Sequence, residues 1–201
     1  MGAADAGRIS HAKEVFFLND KEGWSVGWPG IVIHTANGGL TWTQQKTPTY
    51  NELYALYFID NKTGWVTGQF GEILHTKDGG KTWKFQRSGT EANLNKVYFA
   101  DEKHGLIVGD SGVILTTTNG GKKWEKQESD TENDLYGFAL SPEGMVAVGK
   151  GGIAMRYSVD AEELPAELPP LAERTKATEA IEEPPIVEEV TYHWDLSLIH
   201  I

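Results

Sequence analysis

Tryptophan and glycine recur along this chain 41 residues apart, and a spacing kept by several residues at once constrains the fold more than any single residue can. Trp24, Trp65 and Leu106 form one column. Gly27, Gly68, Gly109 and Gly149 form a second, and Gly30, Gly71, Gly112 and Gly152 a third, each with a last step of 40. Trp42, Trp83 and Trp124 form a fourth. Periods of roughly 20–50 residues belong to solenoids, propellers and other repeat arrays. Within the third unit, "NKVYFAD", "HGLIVGD" and "SGVILTTT" read as three strands and "KWEKQ" opens a fourth. These segments are rich in β-branched and aromatic residues and are bounded by Gly, Asp and Asn. None has a helical period. Four short antiparallel strands in about 40 residues make a propeller blade, and one blade cannot bury both its faces, so neighbours must stack.

The expected fold is therefore all-β, an incomplete β-propeller of about four blades of four antiparallel strands. The repeats fall near 14–52, 53–93, 94–134 and 135–158. Residues 1–13 form a lead or a closing strand, with Arg8 to Ser10 as the closing candidate. The fourth repeat lacks a Trp-led last strand, so the ring is expected to stay open as an arc. Residues 159–201 hold 11 acidic and 2 basic side chains, which puts −9 of the net charge of −11 there. That segment also carries five of the eight prolines and no glycine, the composition of a disordered acidic Pro-rich tail. Its last six residues, "LSLIHI", resemble translated sequencing adapter and support no functional conclusion.

A polar corner repeats three times, as "HTANGGLTW" (34–42), "HTKDGGKTW" (75–83) and "TTTNGGKKW" (116–124). A catalytic site is normally made once per domain; a feature made three times holds the fold. The expected structural set is Thr35, Asn37, Gly39 and Trp42; Thr76, Asp78, Gly80 and Trp83; and Thr117, Asn119, Gly121 and Trp124. Asp78, like Asn37 and Asn119, is expected to bond backbone N–H groups two or three residues ahead in an Asx-type turn. His34 and His75 are equivalent and give way to Thr116, so packing or turn support is expected of them rather than metal ligation.

The pattern kept by Thr76, Asp78, Gly80 and Trp83 matches the Asp-box, or BNR repeat. The longer unit "YFIDNKTGWVTGQFGEILHTKDGGKTW" closely resembles the repeat of the Ycf48/HCF136-like photosystem II stability and assembly factor family, over about residues 14–158. The resemblance implies a non-enzymatic propeller that binds protein subunits of a membrane-associated complex during assembly or repair. It also implies an extracytoplasmic location, in the periplasm or on the lumenal side of the thylakoid. The N-terminal "MGAADAGRIS" lacks the apolar core of a signal peptide.

In an up-and-down blade, the turns between first and second and between third and fourth strands share one face. The second-to-third turns and the connections between blades share the other. The corners make the first face uniform. The second varies from unit to unit and is free to specify a partner. Its candidate partner-binding residues are Trp28, Gln69, Phe70, Tyr50, Arg87, Asp110 and Lys150, since aromatic residues and Arg dominate interface energetics. Glu128, Asp130, Glu132 and Asp134 alternate in one connection, but it lacks the glycine and closing Glu of an EF-hand, and a solvated loop is expected.

No cofactor and no metal are expected. The region before the tail is nearly neutral, which gives nucleic acid no basic surface, and no apolar run approaches a membrane span. With no cysteine there is no disulfide framework. Asp-boxes also occur in sialidases and other glycoside hydrolases, which makes such an enzyme the alternative. Sialidases use several arginines, and glycosidases two carboxylates across a cleft. This chain has four arginines, Arg8, Arg87, Arg156 and Arg174, on unlike elements, and Asp60 and Asp101 are explained by turns. A further alternative is a purely structural blade array in a bacterial envelope protein. An open arc would also expose apolar faces through which copies can associate.

Overall fold

Short β-rich segments separated by Gly, Asn and Asp can pair only with their sequence neighbours, and that is what they do. The structure, a computed structural model, describes residues 11–141 and 144–157. These all lie in the first of two compact units, Met1–Pro169. The candidate closing strand at Arg8 to Ser10 and the tail from 159 onward lie outside the described residues.

The first sheet contains β1 (His11–Phe17), β2 (Gly23–Trp28), β3 (Ile31–Thr35) and β4 (Thr43–Gln45). The second contains β5 (Leu53–Phe58), β6 (Gly64–Gly68), β7 (Glu72–Thr76) and β8 (Lys84–Arg87). The third contains β9 (Leu94–Phe99), β10 (Gly105–Gly109), β11 (Ile114–Thr117) and β12 (Glu125–Gln127). Among the described residues the fourth has three strands, β13 (Leu135–Ser141), β14 (Gly144–Gly149) and β15 (Ala154–Tyr157). Each sheet is an antiparallel meander in chain order. The first sheet begins at His11, three residues before the expected start. Every first strand carries one bulge, at Lys13, Tyr54, Asn95 and Tyr136, and these residues are themselves 41 apart.

The sheets stack face to face, β1 against β5, β5 against β9 and β9 against β13. Trp24, on β2, lies flat on Phe58 of the second sheet at 3.8 Å, and Trp65, on β6, lies flat on Phe99 of the third at 3.4 Å. Both tryptophans are fully buried. Around these stacks form three apolar clusters, one at each junction between sheets. In the last junction Leu106 takes the tryptophan's place against the fourth sheet. The stack is open at both ends. Val15 and Phe17 on the first sheet, and Val146 and Val148 on the fourth, are exposed although their repeat equivalents in the middle are buried. The result is an incomplete propeller of four blades.

A glutamine near the end of the fourth strand ties the first blade to the second and the second to the third. Gln45 Nε2 donates to the Gly79 carbonyl at 2.7 Å, and Gln86 Nε2 donates to the Gly120 carbonyl at 2.8 Å. The amide fits because the next residue is glycine. A Cβ on Gly80 would sit 1.9 Å from Gln45 Oε1, and one on Gly121 would sit 2.0 Å from Gln86 Oε1. The equivalent Gln127 differs, since its amide donates to Thr116 Oγ1 of its own blade.

Candidate functional site

The two ends of the blades are built differently. At the corner end, Thr76 Oγ1 accepts N–H groups from Asp78 and Gly80 and donates to Asp78 Oδ1. Asp78 in turn accepts the N–H and the hydroxyl of Thr82. Thr35–Asn37 and Thr117–Asn119 repeat this scheme, with Asn37 and Asn119 accepting the N–H groups of Thr41 and Lys123. The Asp or Asn thus reaches four residues ahead, not the two or three expected. The threonine hydroxyl takes the nearer N–H groups, and the carboxylate is left to close the wider loop. The bonds from Thr82 hold the Asp78 carboxyl below the usual carboxylate range.

Trp83 meets Phe58 edge-on at 6.0 Å and donates to Gln45 Oε1 at 3.3 Å, so its ring serves its own hairpin and the preceding blade together. His34 and His75 pack on Trp24 and Trp65 at 4.8 and 4.7 Å. His34 also pairs with Glu22 at 2.6 Å. Burial first, and the Lys77 charge second, lower the His75 pKa to about 4. Asp60 and Asp101 each accept two backbone N–H groups in the turn after the first strand.

The opposite end holds the candidate partner-binding residues. Its turns between second and third strands are tight. In the second blade Gln69, Phe70, Gly71 and Glu72 form one in which the Glu72 N–H reaches the Gln69 carbonyl, with Phe70 at φ 55°, ψ 35°. Ser111 takes the same conformation in the third blade, at φ 54°. In the first blade the turn is Trp28–Pro29–Gly30, with a cis bond before Pro29.

The seven candidates divide into two kinds. Phe70 and Tyr50 are 63% and 87% exposed, and Trp28 is also exposed, with His11 edge-on to it at 5.9 Å. Arg87 is exposed and makes no side-chain hydrogen bond or ion pair among the described residues. Gln69 and Asp110 instead hold the framework. Gln69 accepts the Glu52 N–H, and Asp110 accepts Asn93 on one oxygen and Asn95 on the other, both at 2.8 Å. Lys150 is exposed and lies 3.5 Å from Asp134, whose other oxygen accepts the Ser111 N–H.

The structure adds residues that motif spacing did not single out. The bulged side chains of the first strands sit at this end, beside the second-to-third turns. Lys13 pairs with Glu52 at 3.0 Å and lies 5.6 Å over the Tyr54 ring. Burial raises the Tyr54 pKa, while a hydrogen bond from Gln69 works against the shift. Tyr136 is exposed. Glu14 Oε2 accepts the Leu56 N–H at 2.8 Å, and its other oxygen pairs with Lys96, which ties together the first strands of three blades. Lys13, Tyr54, Asn95 and Tyr136 keep the 41-residue register but share no side-chain type, so spacing alone does not mark this set. Among the described residues, no group of three or more His, Asp or Glu side chains converges as metal ligands would. The carboxylates of the 128–134 connection are no exception.

Comparison with known proteins matches the chain to the family model described as Photosynthesis system II assembly factor YCF48, over residues 40–96 and 86–161. Among curated proteins none matches. Solved structures agree on the fold. YCF48 bound to D1 peptide is 23% identical, with a TM-score of 0.60, covering 70% of this chain and 48% of that one. YCF48 from Cyanidioschyzon merolae is 18% identical, with a TM-score of 0.62, covering 73% and 50%. An ancestral GH74 enzyme is 16% identical, with a TM-score of 0.58, covering 72% and 23%. The chain thus spans about half the length of the YCF48 structures it matches.

Proposed function

The chain belongs to the photosystem II assembly factor YCF48 family, and from that membership we propose that it is a non-enzymatic scaffold whose variable face receives a peptide segment of a membrane-complex subunit. One observation carries this reading. The corner end spends its polar groups on internal hydrogen bonds, whereas the other end leaves Trp28, Tyr50, Phe70 and Arg87 uncommitted. Uncommitted aromatic residues and Arg are the side chains that supply most binding energy at protein interfaces. The YCF48 structure with bound D1 peptide names a fitting class of partner, a segment of a photosystem II subunit.

A hydrolase is disfavoured on chemical grounds. The repeat-equivalent Asp60 and Asp101 are consumed by turn formation, and likeness to GH74 enzymes at 16% identity extends to the fold alone. The scaffold would act on the lumenal or periplasmic side. Among the described residues no helix is long and apolar enough to cross a membrane. Where no further sheet covers Phe17 and Val148, the same apolar faces would drive self-association, which sedimentation velocity reads directly.

The test is titration of a fluorescent D1 peptide with the wild type and with a Trp28→Ala, Phe70→Ala double variant. The double variant should weaken binding by roughly tenfold or more. Equal affinity would reject the assignment of this face, and release of reducing sugar from a glucan or sialoside would reject the non-enzymatic assignment.

A further inference from the structure

The second and third blades carry the same surface depression, built on the same floor and walled by different chemistry. Each lies between the tight turn after the second strand, the outer strand and the connection that follows. In the second blade it has a volume of about 540 Å³ and is lined by Phe70, Glu72, Phe85, Arg87, Ser88 and Glu91. In the third the volume is about 690 Å³, and the lining includes Ser111, Lys126, Glu128, Ser129, Asp130 and Glu132. The floors correspond, since Ser88 Oγ donates to the Thr90 carbonyl and Ser129 Oγ to the Thr131 carbonyl. The walls do not. Phe70, Phe85 and Arg87 stand where the third blade has Ser111, Lys126 and Glu128.

Phe70 is disfavoured twice by the isolated fold. A turn with positive φ at both central residues suits Asn-Gly, and a bulky side chain there is strained. Its ring is also 63% exposed, so burial does not offset that strain. Phe85, on the outer edge strand, is likewise exposed. Between them the fold leaves two aromatic side chains and an unpaired guanidinium around one depression. The carboxylate nearest in register to Arg87 is Glu72. Its Oε1 is taken by Asn51 at 2.7 Å and Thr49 at 3.1 Å, its Oε2 is buried without a hydrogen-bond partner, and it makes no ion pair with Arg87 among the described residues.

Resting on the scaffold reading above, we propose that this second-blade depression is the anchor of the binding face, and that it takes an extended peptide carrying an apolar side chain beside a carboxylate. The apolar side chain sits between Phe70 and Phe85, and the carboxylate pairs with Arg87 in the fork geometry a guanidinium favours. The third-blade depression, walled by Glu128, Asp130 and Glu132, repels the same ligand.

The experiment uses two fluorescein-labelled, end-blocked octapeptides, one alternating leucine and glutamate and one alternating leucine and lysine. Fluorescence anisotropy should show at least tenfold tighter binding of the glutamate peptide by the wild type. Arg87→Glu should reverse that preference, and Phe70→Asn should weaken glutamate-peptide binding by roughly tenfold. Because Asn suits the turn, Phe70→Asn should also raise Tm, by about 2–4 °C. Ser111→Asn, at the equivalent turn, should raise Tm without changing peptide binding. No binding up to millimolar peptide, no reversal with Arg87→Glu, or a lower Tm for Phe70→Asn would each overturn the proposal. If D1 peptide binds the wild type and Phe70→Asn equally while the octapeptides do not bind, only the anchor is wrong. If the octapeptides behave as described and D1 peptide does not bind, the anchor stands and the photosystem partner is wrong.

Discussion

Gly80→Ala and Gly39→Ala are the same substitution at the same corner position, and the structure predicts different costs for them. Their φ values are +85° and +86°, so both alanines meet the same left-handed strain, of order 1 kcal/mol. At Gly39 the nearest atom to the new Cβ is 3.6 Å away, and nothing else changes. At Gly80 the Cβ would lie 1.9 Å from Gln45 Oε1. The glutamine is flexible and can swing away, but two hydrogen bonds go with it. One is its bond to the Gly79 carbonyl at 2.7 Å and the other is the Trp83 Nε1 bond to Oε1 at 3.3 Å. At about 0.5–1.5 kcal/mol each, Gly80→Ala should cost roughly 1–3 kcal/mol more than Gly39→Ala. Gly121→Ala displaces Gln86, which makes one such bond, and should fall between them. Urea unfolding at fixed m-value gives the three numbers. Adding Gln45→Ala to Gly80→Ala should cost almost nothing, since the bonds are already lost. If Gly80→Ala and Gly39→Ala agree within about 0.5 kcal/mol, the glutamine latch contributes nothing and the reasoning fails.

Trp65 lies fully buried on Phe99, and its Nε1 has no hydrogen-bond partner. Trp65→Leu, which copies Leu106 of the next repeat, should therefore cost about 1–2 kcal/mol in urea unfolding, against roughly 3–5 for Trp65→Ala. The His75 shift fixes a pH dependence. An unfolded histidine takes its proton near pH 6.5, whereas His75 in the folded chain does so only at about 4. In that window the unfolded state binds more protons, so stability should fall as pH drops from about 6.5 toward 4. His75→Thr should flatten the slope, and an unchanged slope would mean that the ring is protonated in place. Phe70 and Asp78 lie in the turns beyond opposite ends of β7, whose five residues alone span about 13 Å at roughly 3.3 Å per residue. The stability effects of Phe70→Asn and Asp78→Ala should add to within about 0.5 kcal/mol. A coupling above about 1 kcal/mol would show that the two ends of a blade are not independent.

The strands, their order and the corners were legible because each recurs in one register, and recurrence filters out residues that serve only one place. The expected side of the blade for each loop follows from strand alternation, and the structure keeps it. What was hidden depends on segments far apart in sequence. Asp110 reads as a free carboxylate in an exposed turn, yet Asn93 and Asn95, 15 to 17 residues earlier, occupy both its oxygens. Gln45, Gln86 and Gln127 recur at 41 residues as plainly as the tryptophans, but spacing does not say that an amide reaches into the next blade. The bulges at Lys13, Tyr54, Asn95 and Tyr136 escape for a related reason. A bulge is a register shift against a partner strand, and it appears only once the pairing is known.

The division of labour between the two ends also explains why recurrence could locate the scaffold but not the anchor. The Thr and the Asp or Asn of a corner are constrained by hydrogen bonds within nine residues of chain, so the same solution serves each of the three corners. A residue on the other end is constrained by whatever covers it, and in the isolated chain little does. Phe70 and Ser111 share a backbone conformation within 1° in φ, yet one is a large ring and the other a hydroxymethyl. Backbone geometry therefore does not select the side chain there. Sheet twist demands the positive φ, and any preference for Phe over the Asn that the turn favours must come from outside the fold. The second blade departs most from what its own turn prefers, and that departure places the anchor in this blade rather than in the third.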